Sequence, residues 1–375
     1  MKNIPLLSLL LCGCFASAAW GQQSAANSHN NWSEFLRADM TRNNPYETTL
    51  GVHTVGGLEL KWSSTVNTYG CGGTAVANGV VYAGFGNGQL IAFDADTGTQ
   101  LWNYQTGNSI FSFPSVSGGV VYFGSTDNNV YALEAGTGAL LWSYGTGNQV
   151  VSDPAVVDGV VYIGSNDNNL YALNATTGAL LWKYTTTNEV QSSPAVVGGV
   201  VYVGGFDNSV YALNASTGAL IWQYTTGGRV YSSPAVTNGV VYIGSGDDYF
   251  YALQATTGKV LWTHKVGGPI NSTAAVANGT VYFAAEDFNA YALNTSTGTR
   301  IWIHKLYNYP DSGLSVANGV VYVTANTGKT QALNAKTGAS LWSYTTSFPI
   351  SPAVVNGMVF VGDNWDGDVY AFGLP

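Results

Sequence analysis

Gly159-Val160-Val161-Tyr162-Ile163-Gly164-Ser165-Asn166-Asp167-Asn168-Asn169-Leu170-Tyr171-Ala172-Leu173-Asn174-Ala175-Thr176-Thr177-Gly178-Ala179-Leu180-Leu181-Trp182 holds short β-branched and aromatic runs, each bounded by turn residues. Runs of this kind read as antiparallel strands joined by hairpins. The closing tryptophan returns every 40 residues, at Trp62, Trp102, Trp142, Trp182, Trp222, Trp262, Trp302 and Trp342. Insertions and deletions normally blur such a register. A strand-rich period near 40 without helical stretches is the signature of a β-propeller blade.

The turns carry their own physics. Asn78-Gly79, Asp158-Gly159, Asn238-Gly239, Asn278-Gly279, Asn318-Gly319 and Asn356-Gly357 favour positive φ and place a tight hairpin between the first and second strands. Thr-Gly pairs ending at Gly98, Gly138, Gly178, Gly218, Gly258, Gly298 and Gly338 suggest a slightly longer hairpin before the fourth strand. A proline recurs in the first strand at Pro114, Pro154, Pro194, Pro234 and Pro352. Lacking a ladder donor, it marks that strand as an edge beside the central channel. The tryptophan falls on the fourth strand, and burying one is worth about 4–6 kcal/mol as an upper bound. Eight of them, one between each pair of neighbouring blades, are expected to be the main glue. Tyr82, Tyr122, Tyr162, Tyr202, Tyr242, Tyr282 and Tyr322 form a second ring on the second strand.

Seven full units run from residue 62 to 341, and the remainder supplies only three further strands. Residues 58–62 have the fourth-strand pattern with no blade before them. Pairing that N-terminal strand with the C-terminal three predicts an all-β, eight-bladed propeller of four-stranded antiparallel blades, closed into a ring without a free edge.

The 375 residues suit one large propeller over residues 57–375, preceded by an irregular cap at 22–56. Only 9% of residues are charged and the formal net charge is −9. An acidic chain repels phosphate backbones, so no nucleic-acid partner is expected. Lys2, the apolar run 4–11 and the small residues after it read as an export signal. Two processing routes stay open. A small-residue site at Ala16-Ser17-Ala18-Ala19 or after Gly21 releases a soluble protein with residues 1–21 removed. Leu11-Cys12-Gly13-Cys14 resembles a bacterial lipobox, with signal 1–13 and a lipid anchor at Cys14. Both predict an exported monomer that is periplasmic, secreted or anchored at the outer membrane. Cys71 is then the single mature cysteine, expected as a small buried hydrophobe. No haem, zinc-protease or Cys/His zinc motif occurs.

The repeat Gly-Val-Val-Tyr-x-Gly-Ser-x-Asp-x-x-x-Tyr-Ala-Leu-x-Ala-x-Thr-Gly-x-x-x-Trp at 159–182 resembles the pyrroloquinoline quinone (PQQ)-like propeller repeat. The likeness covers residue 57 to the C-terminus, with a lead-in at Trp32-Ser33-Glu34-Phe35. One branch of that superfamily, the quinoprotein alcohol and sugar dehydrogenases, implies PQQ with calcium over the channel. The vicinal cysteines that some of those enzymes hold against the cofactor have no counterpart, nor do their funnel-building insertions. A second branch, the BamB-like outer-membrane assembly lipoproteins, implies a non-enzymatic scaffold. A third holds exported PQQ-like repeat proteins without assigned activity, which the even repeats suit.

Structural positions recur in every unit, so function should show where repetition breaks. The recurring Asp127, Asp167, Asp207, Asp247 and Asp287 read as turn acceptors. Breaks gather in units six, seven and one, and Cys71, Glu286, Tyr307, Tyr309, Asp311 and Lys329 are expected on one face at the channel mouth. Drift among exposed loops is the blander explanation. His264 and His304 replace an outer-strand tyrosine, remote from the channel. Asp363, Asp366 and Asp368 have a spacing calcium could use but lack the bidentate Glu of a full calcium loop, so a solvated acidic turn is the favoured reading, and Trp365 offers an aromatic platform. The sequence thus predicts a non-catalytic exported scaffold that binds a protein or glycan at the channel face, with no cofactor. A PQQ/calcium dehydrogenase and a glycan-binding propeller are the alternatives.

Overall fold

The computed structural model describes residues 31–33, 41–66, 68, 70–306, 308–310, 313–325 and 328–375. The export-signal residues, Cys14, Tyr307 and Asp311 lie outside them. Eight antiparallel sheets follow one another along the chain, seven of four strands and one of five. The third blade is representative: inner strand Ala155–Val157, second Val160–Gly164, third Asn169–Asn174, outer Leu180–Thr185. The first blade opens at Cys71–Ala77, and the seventh has Ser315–Ala317 as its inner strand. In the eighth, Ala353–Val355, Met358–Gly362 and Asp368–Gly373 are completed by the N-terminal strand Glu59–Thr65, antiparallel to Asp368–Gly373. The ring therefore closes as the sequence predicts.

The tryptophans join each blade to the next. Trp62, Trp102, Trp142, Trp182, Trp222, Trp262 and Trp302 each donate from Nε1 to a carbonyl 33 residues on, at 2.8–2.9 Å. Trp342 instead reaches the Leu58 carbonyl across the closure, at 3.0 Å. The turn glycine of the following blade lies flat on the indole. Gly138 has φ +73°, and a Cβ there would stand 2.6 Å from Cε3 of Trp102. Glycine is demanded twice, by the left-handed backbone and by the ring against it. The second-strand tyrosines share these carbonyls, Tyr122 donating to Ala175 O at 3.1 Å.

Two expectations for the inner strand need correction. The recurrent prolines stand one residue before it, as Pro154 does before Ala155, because the loop above it is tied by side chains rather than by a ladder. Nor is the inner strand always an edge. In the seventh blade Asn43–Asn44 adds a fifth strand, parallel to Ser315–Ala317.

That added strand belongs to an N-terminal segment lying along the axis. Trp32 exchanges two backbone hydrogen bonds with Val76, and Ser33 accepts from Val116. On the opposite side, Thr41 accepts from Val276 and Arg42 from Val316. Inner strands leave N–H groups facing the channel, and this segment satisfies several of them. Trp32 and Arg42 are both buried, with the guanidinium 5.6 Å from the indole centroid. The segment's described residues, 31–33 and 41–44, cover inner strands of the first, second, sixth and seventh blades toward the end where the tight Asn-Gly hairpins lie. At the other end the described residues leave a cavity.

Candidate functional site

At the cavity end loops lead from one outer strand to the next inner strand, and two partial sets of hydroxyls hold the described ones. Ser112, Ser152, Ser192, Ser232 and Ser272 accept from the second-strand amides of Gly124, Gly164, Gly204, Gly244 and Ala284. The next residue but one before the strand points to the axis and links blade to blade. The Asp153 amide donates to Ser193 Oγ at 3.0 Å, Ser193 to Ser233 Oγ at 2.9 Å, and Ser233 to Thr273 Oγ1 at 3.3 Å. Gly313 continues the pattern to Ser351 Oγ at 2.7 Å. The repeating hydroxyls thus build a rigid collar.

Within the collar, repetition breaks. Asp153 replaces a hydroxyl residue and accepts from the Phe113 amide at 2.7 Å and the Ser193 hydroxyl at 2.8 Å. Burial pushes it up to about 7, against those two hydrogen bonds and the charge of Arg42, which pull it down. Burial also lowers Arg42, to about 9, so it stays protonated at neutral pH. Its Nη2 donates to Ser315 Oγ at 2.9 Å, and Nε sits 3.0 Å from where a Cβ on Gly313 would fall. Gly73 has a different reason to be glycine: the Phe113 ring of the next blade occupies its side-chain space.

The collar floors a cavity of about 630 Å³ lined by Phe111, Phe113, Val151, Gln191, Tyr231, Asn271, Ile350 and Phe348 among others. Phe111 and Tyr231 remain 41% and 47% exposed. Phe206 lies 4.9 Å from Tyr231, with Arg229 5.3 Å above Phe206. Asn271 Nδ2 donates to Glu286 Oε1 at 2.6 Å, and Gln191 Nε2 to Glu189 Oε2 at 2.7 Å.

Of the residues singled out in the sequence, Cys71 and Glu286 line this cavity. Burial, and then the Asp363 charge, push the Cys71 thiol well above its ordinary value, so it is not a thiolate. Tyr309 sits on Phe288 at 4.7 Å, with Lys305 5.0 Å from the Phe288 centroid, and neither it nor Lys329 is part of the lining. Trp365 is 72% exposed beside the cavity, which its neighbour Asn364 lines. His264 and His304 pair with Phe250 and Ala290 on outer strands. Asp363 turns inward and accepts from the amides of Ser347, Phe348, Trp365 and Asp366 at 2.8–3.1 Å. Asp366 bonds Ser347 Oγ and Asp368 bonds Tyr370, so the three carboxylates do not converge. Among the described residues, no group of three His, Cys, Asp or Glu is placed to hold a metal.

The recurring aspartates also bind between loops. Asp127 accepts from Tyr131 Oη at 2.6 Å and from the Gly107 amide of the adjoining loop at 2.8 Å. Burial raises this carboxyl, but these bonds outweigh it and hold it below its ordinary value.

Sequence reasoning missed Phe111, Gln191, Tyr231, Asn271 and Asp153. The signal was there. The slot two residues before the collar reads Cys71, Phe111, Val151, Gln191, Tyr231 and Asn271 in successive units, while serine and proline around it repeat. Variation within an invariant frame marked the cavity wall.

Eight tryptophan-linked blades around a plugged axis define a PQQ-repeat propeller. The family profile described as "Outer membrane protein assembly factor BamB" matches residues 56–152, 147–230, 207–311 and 291–373, and the chain belongs to this family of PQQ-repeat β-propellers. No curated protein sequence matches it. Among solved structures it is similar to BamB from Moraxella catarrhalis, at 20% identity and TM-score 0.73 over 84% of this chain and 98% of that one. It is similar also to a europium-containing methanol dehydrogenase, at 13% identity and TM-score 0.82 over 92% and 98%. The quinohemoprotein alcohol dehydrogenase of Comamonas testosteroni aligns at 16% identity and TM-score 0.79, over 94% and 85%. At these identities the likeness establishes the fold.

Proposed function

We propose that this chain is a non-catalytic binding propeller exported to the bacterial envelope, which holds its partner at the open mouth of the axial channel. The observation that carries the reading is the donor set of the cavity. Aromatic rings, amides and hydroxyls surround it, and the serine–carboxylate pair in the described lining, Ser193 with Asp153, is tied into the collar by the Phe113 and Asp153 amides. The family description as an outer-membrane assembly factor supports an envelope role.

The lining residues do not fit PQQ with calcium. PQQ is a tricarboxylate, and the described lining offers the acids Asp153 and Glu286 but no lysine or arginine. The carboxylate best placed for calcium, Asp363, already accepts four backbone amides. This donor set supports the binding reading over an oxidoreductase one.

Two measurements test the proposal. Titration with PQQ and calcium is expected to leave the absorbance spectrum additive and to give no dye reduction with alcohols or sugars. A photo-crosslinking side chain at Val151, in the cavity wall, is expected to capture a discrete partner in cells. The same side chain at Ser216, on the opposite face, should not. Calcium-dependent turnover, or identical adducts from both positions, overturns the proposal.

A further inference from the structure

We infer that the axial mouth recognises a neutral saccharide, a chain end of a few sugar units. The inference rests on the mouth being the binding site and names the chemistry of what enters it. A pyranose presents a flat C–H face and, around its edge, hydroxyls that both donate and accept. Its complement is a fixed aromatic plane flanked by planar amides and carboxylates.

The cavity wall supplies both. Phe111 and Tyr231, from the second and fifth blades, stand on well-separated parts of the wall, each with nearly half its surface uncovered. Two aromatic rings with this much exposed surface in a concave site offer a face to an apolar ligand surface. Tyr231 is held against Phe206 at 4.9 Å, so the platform is fixed before any ligand arrives. Gln191 and Asn271, from the blades on either side, flank Tyr231 in the wall. Each spends one N–H on a neighbouring carboxylate, at 2.7 and 2.6 Å, which sets the amide plane. The amide carbonyl then accepts from one sugar hydroxyl while the second N–H donates to the next.

Charge selects among polar ligands. The described lining carries Asp153 and Glu286, while Arg42 stands behind Asp153 and Arg229 over Phe206, outside the lining; this balance disfavours multiply charged phosphates, nucleotides and acidic glycans. The volume of about 630 Å³ lies within the ~300–1,000 Å³ typical of small-ligand sites, and it accommodates a short oligosaccharide. A peptide binding by strand addition would need an open strand edge, whereas at this end the loops are tied by their own hydroxyls.

The test uses the full chain and a panel of neutral cello-, malto-, xylo- and chito-oligosaccharides of two to six units, read by titration calorimetry. At least one series is expected to bind. Tyr231→Ala, Phe111→Ala and Asn271→Ala should each weaken that binding at least tenfold, and Tyr231→Phe should retain it. Leu181→Ala, on an outer strand, should leave it unchanged. Thermal melts of every variant establish folding, and Gln191→Ala substitutes for any that fails to fold. The inference is overturned if no series binds, if binding survives both aromatic truncations, or if the mouth takes unglycosylated peptide instead. A Val151 crosslink without saccharide binding sinks this inference alone, whereas PQQ turnover sinks the reading beneath it.

Discussion

Asp153 occupies the point in the collar where Ser193, Ser233 and Thr273 stand in the following blades, and it changes how folding responds to pH. Its folded value of about 7 lies above the ordinary carboxyl value near 4. Between those two values the folded chain keeps a proton that the unfolded chain releases. Raising the pH through that window therefore costs stability, and the loss levels off above about 7. Asp153→Asn removes the titration while keeping an acceptor for the Phe113 amide, and its Nδ2 becomes a donor toward Ser193 Oγ. Its melting temperature is expected to gain on the natural chain from pH 5 to pH 8. A gap between the two proteins that stays constant over that range would contradict the assignment. Cys71 offers a second residue-scale check. It lines the cavity yet is only 1% exposed, its hydrogen shared with the Gly72 carbonyl at 2.9 Å. With the thiolate disfavoured, Cys71 in the native protein should resist maleimide at pH 8 for hours and react fully in denaturant, as read by mass mapping of that residue.

At the scale of the blade, stability sits in the contact of one sheet with the next. Trp182→Ala removes an indole from beneath Gly218 and the donor to Ala215 O. It is expected to cost about 3–5 kcal/mol in denaturant melts. The tyrosine ring makes a finer test. Tyr202 donates to Ala255 O at 3.2 Å, so Tyr202→Phe should cost about 1 kcal/mol. Tyr322 is the exception, because the unit that would supply its acceptor is replaced by the closing strand, and its hydroxyl is buried without a partner. Tyr322→Phe should therefore be neutral or stabilising, and equal losses for both variants would refute this account of the seam. These elements were legible in the sequence because the physics recurs: every blade needs an indole, a left-handed glycine and an Asn-Gly hairpin at the same place. The cavity was legible only in outline. Glu286 and Cys71 were found because they break the pattern conspicuously. Phe111 and Tyr231 were passed over because an aromatic residue looks unexceptional in a chain rich in them. Arg42 escaped because it lies outside the repeat, where no register says which side chain turns inward.

For the whole molecule, the decisive device is that the last sheet is assembled from both ends of the propeller. Glu59–Thr65 pairs along the length of Asp368–Gly373, and Trp62 donates onward to the first blade at Ala95 O. On the other side, Trp342 of the seventh blade bonds Leu58. One short segment thus completes the eighth sheet and both of its lateral contacts. The axial plug just before it in sequence is tied to the first, second, sixth and seventh inner strands, so it braces the same seam from within. Deleting residues 57–65 leaves Asp368–Gly373 as an unpaired edge and uncovers the Gly98 turn that the Trp62 ring packs against. Such an edge pairs with the next available strand, which in a purified sample belongs to another copy. The deletion variant is expected to elute as oligomers and aggregates in size-exclusion chromatography. A synthetic peptide spanning residues 57–66 should restore the monomer by supplying the missing strand. A deletion product that stays monomeric and melts at the original temperature without the peptide would mean that the ring is held shut by the plug and not by the closing strand.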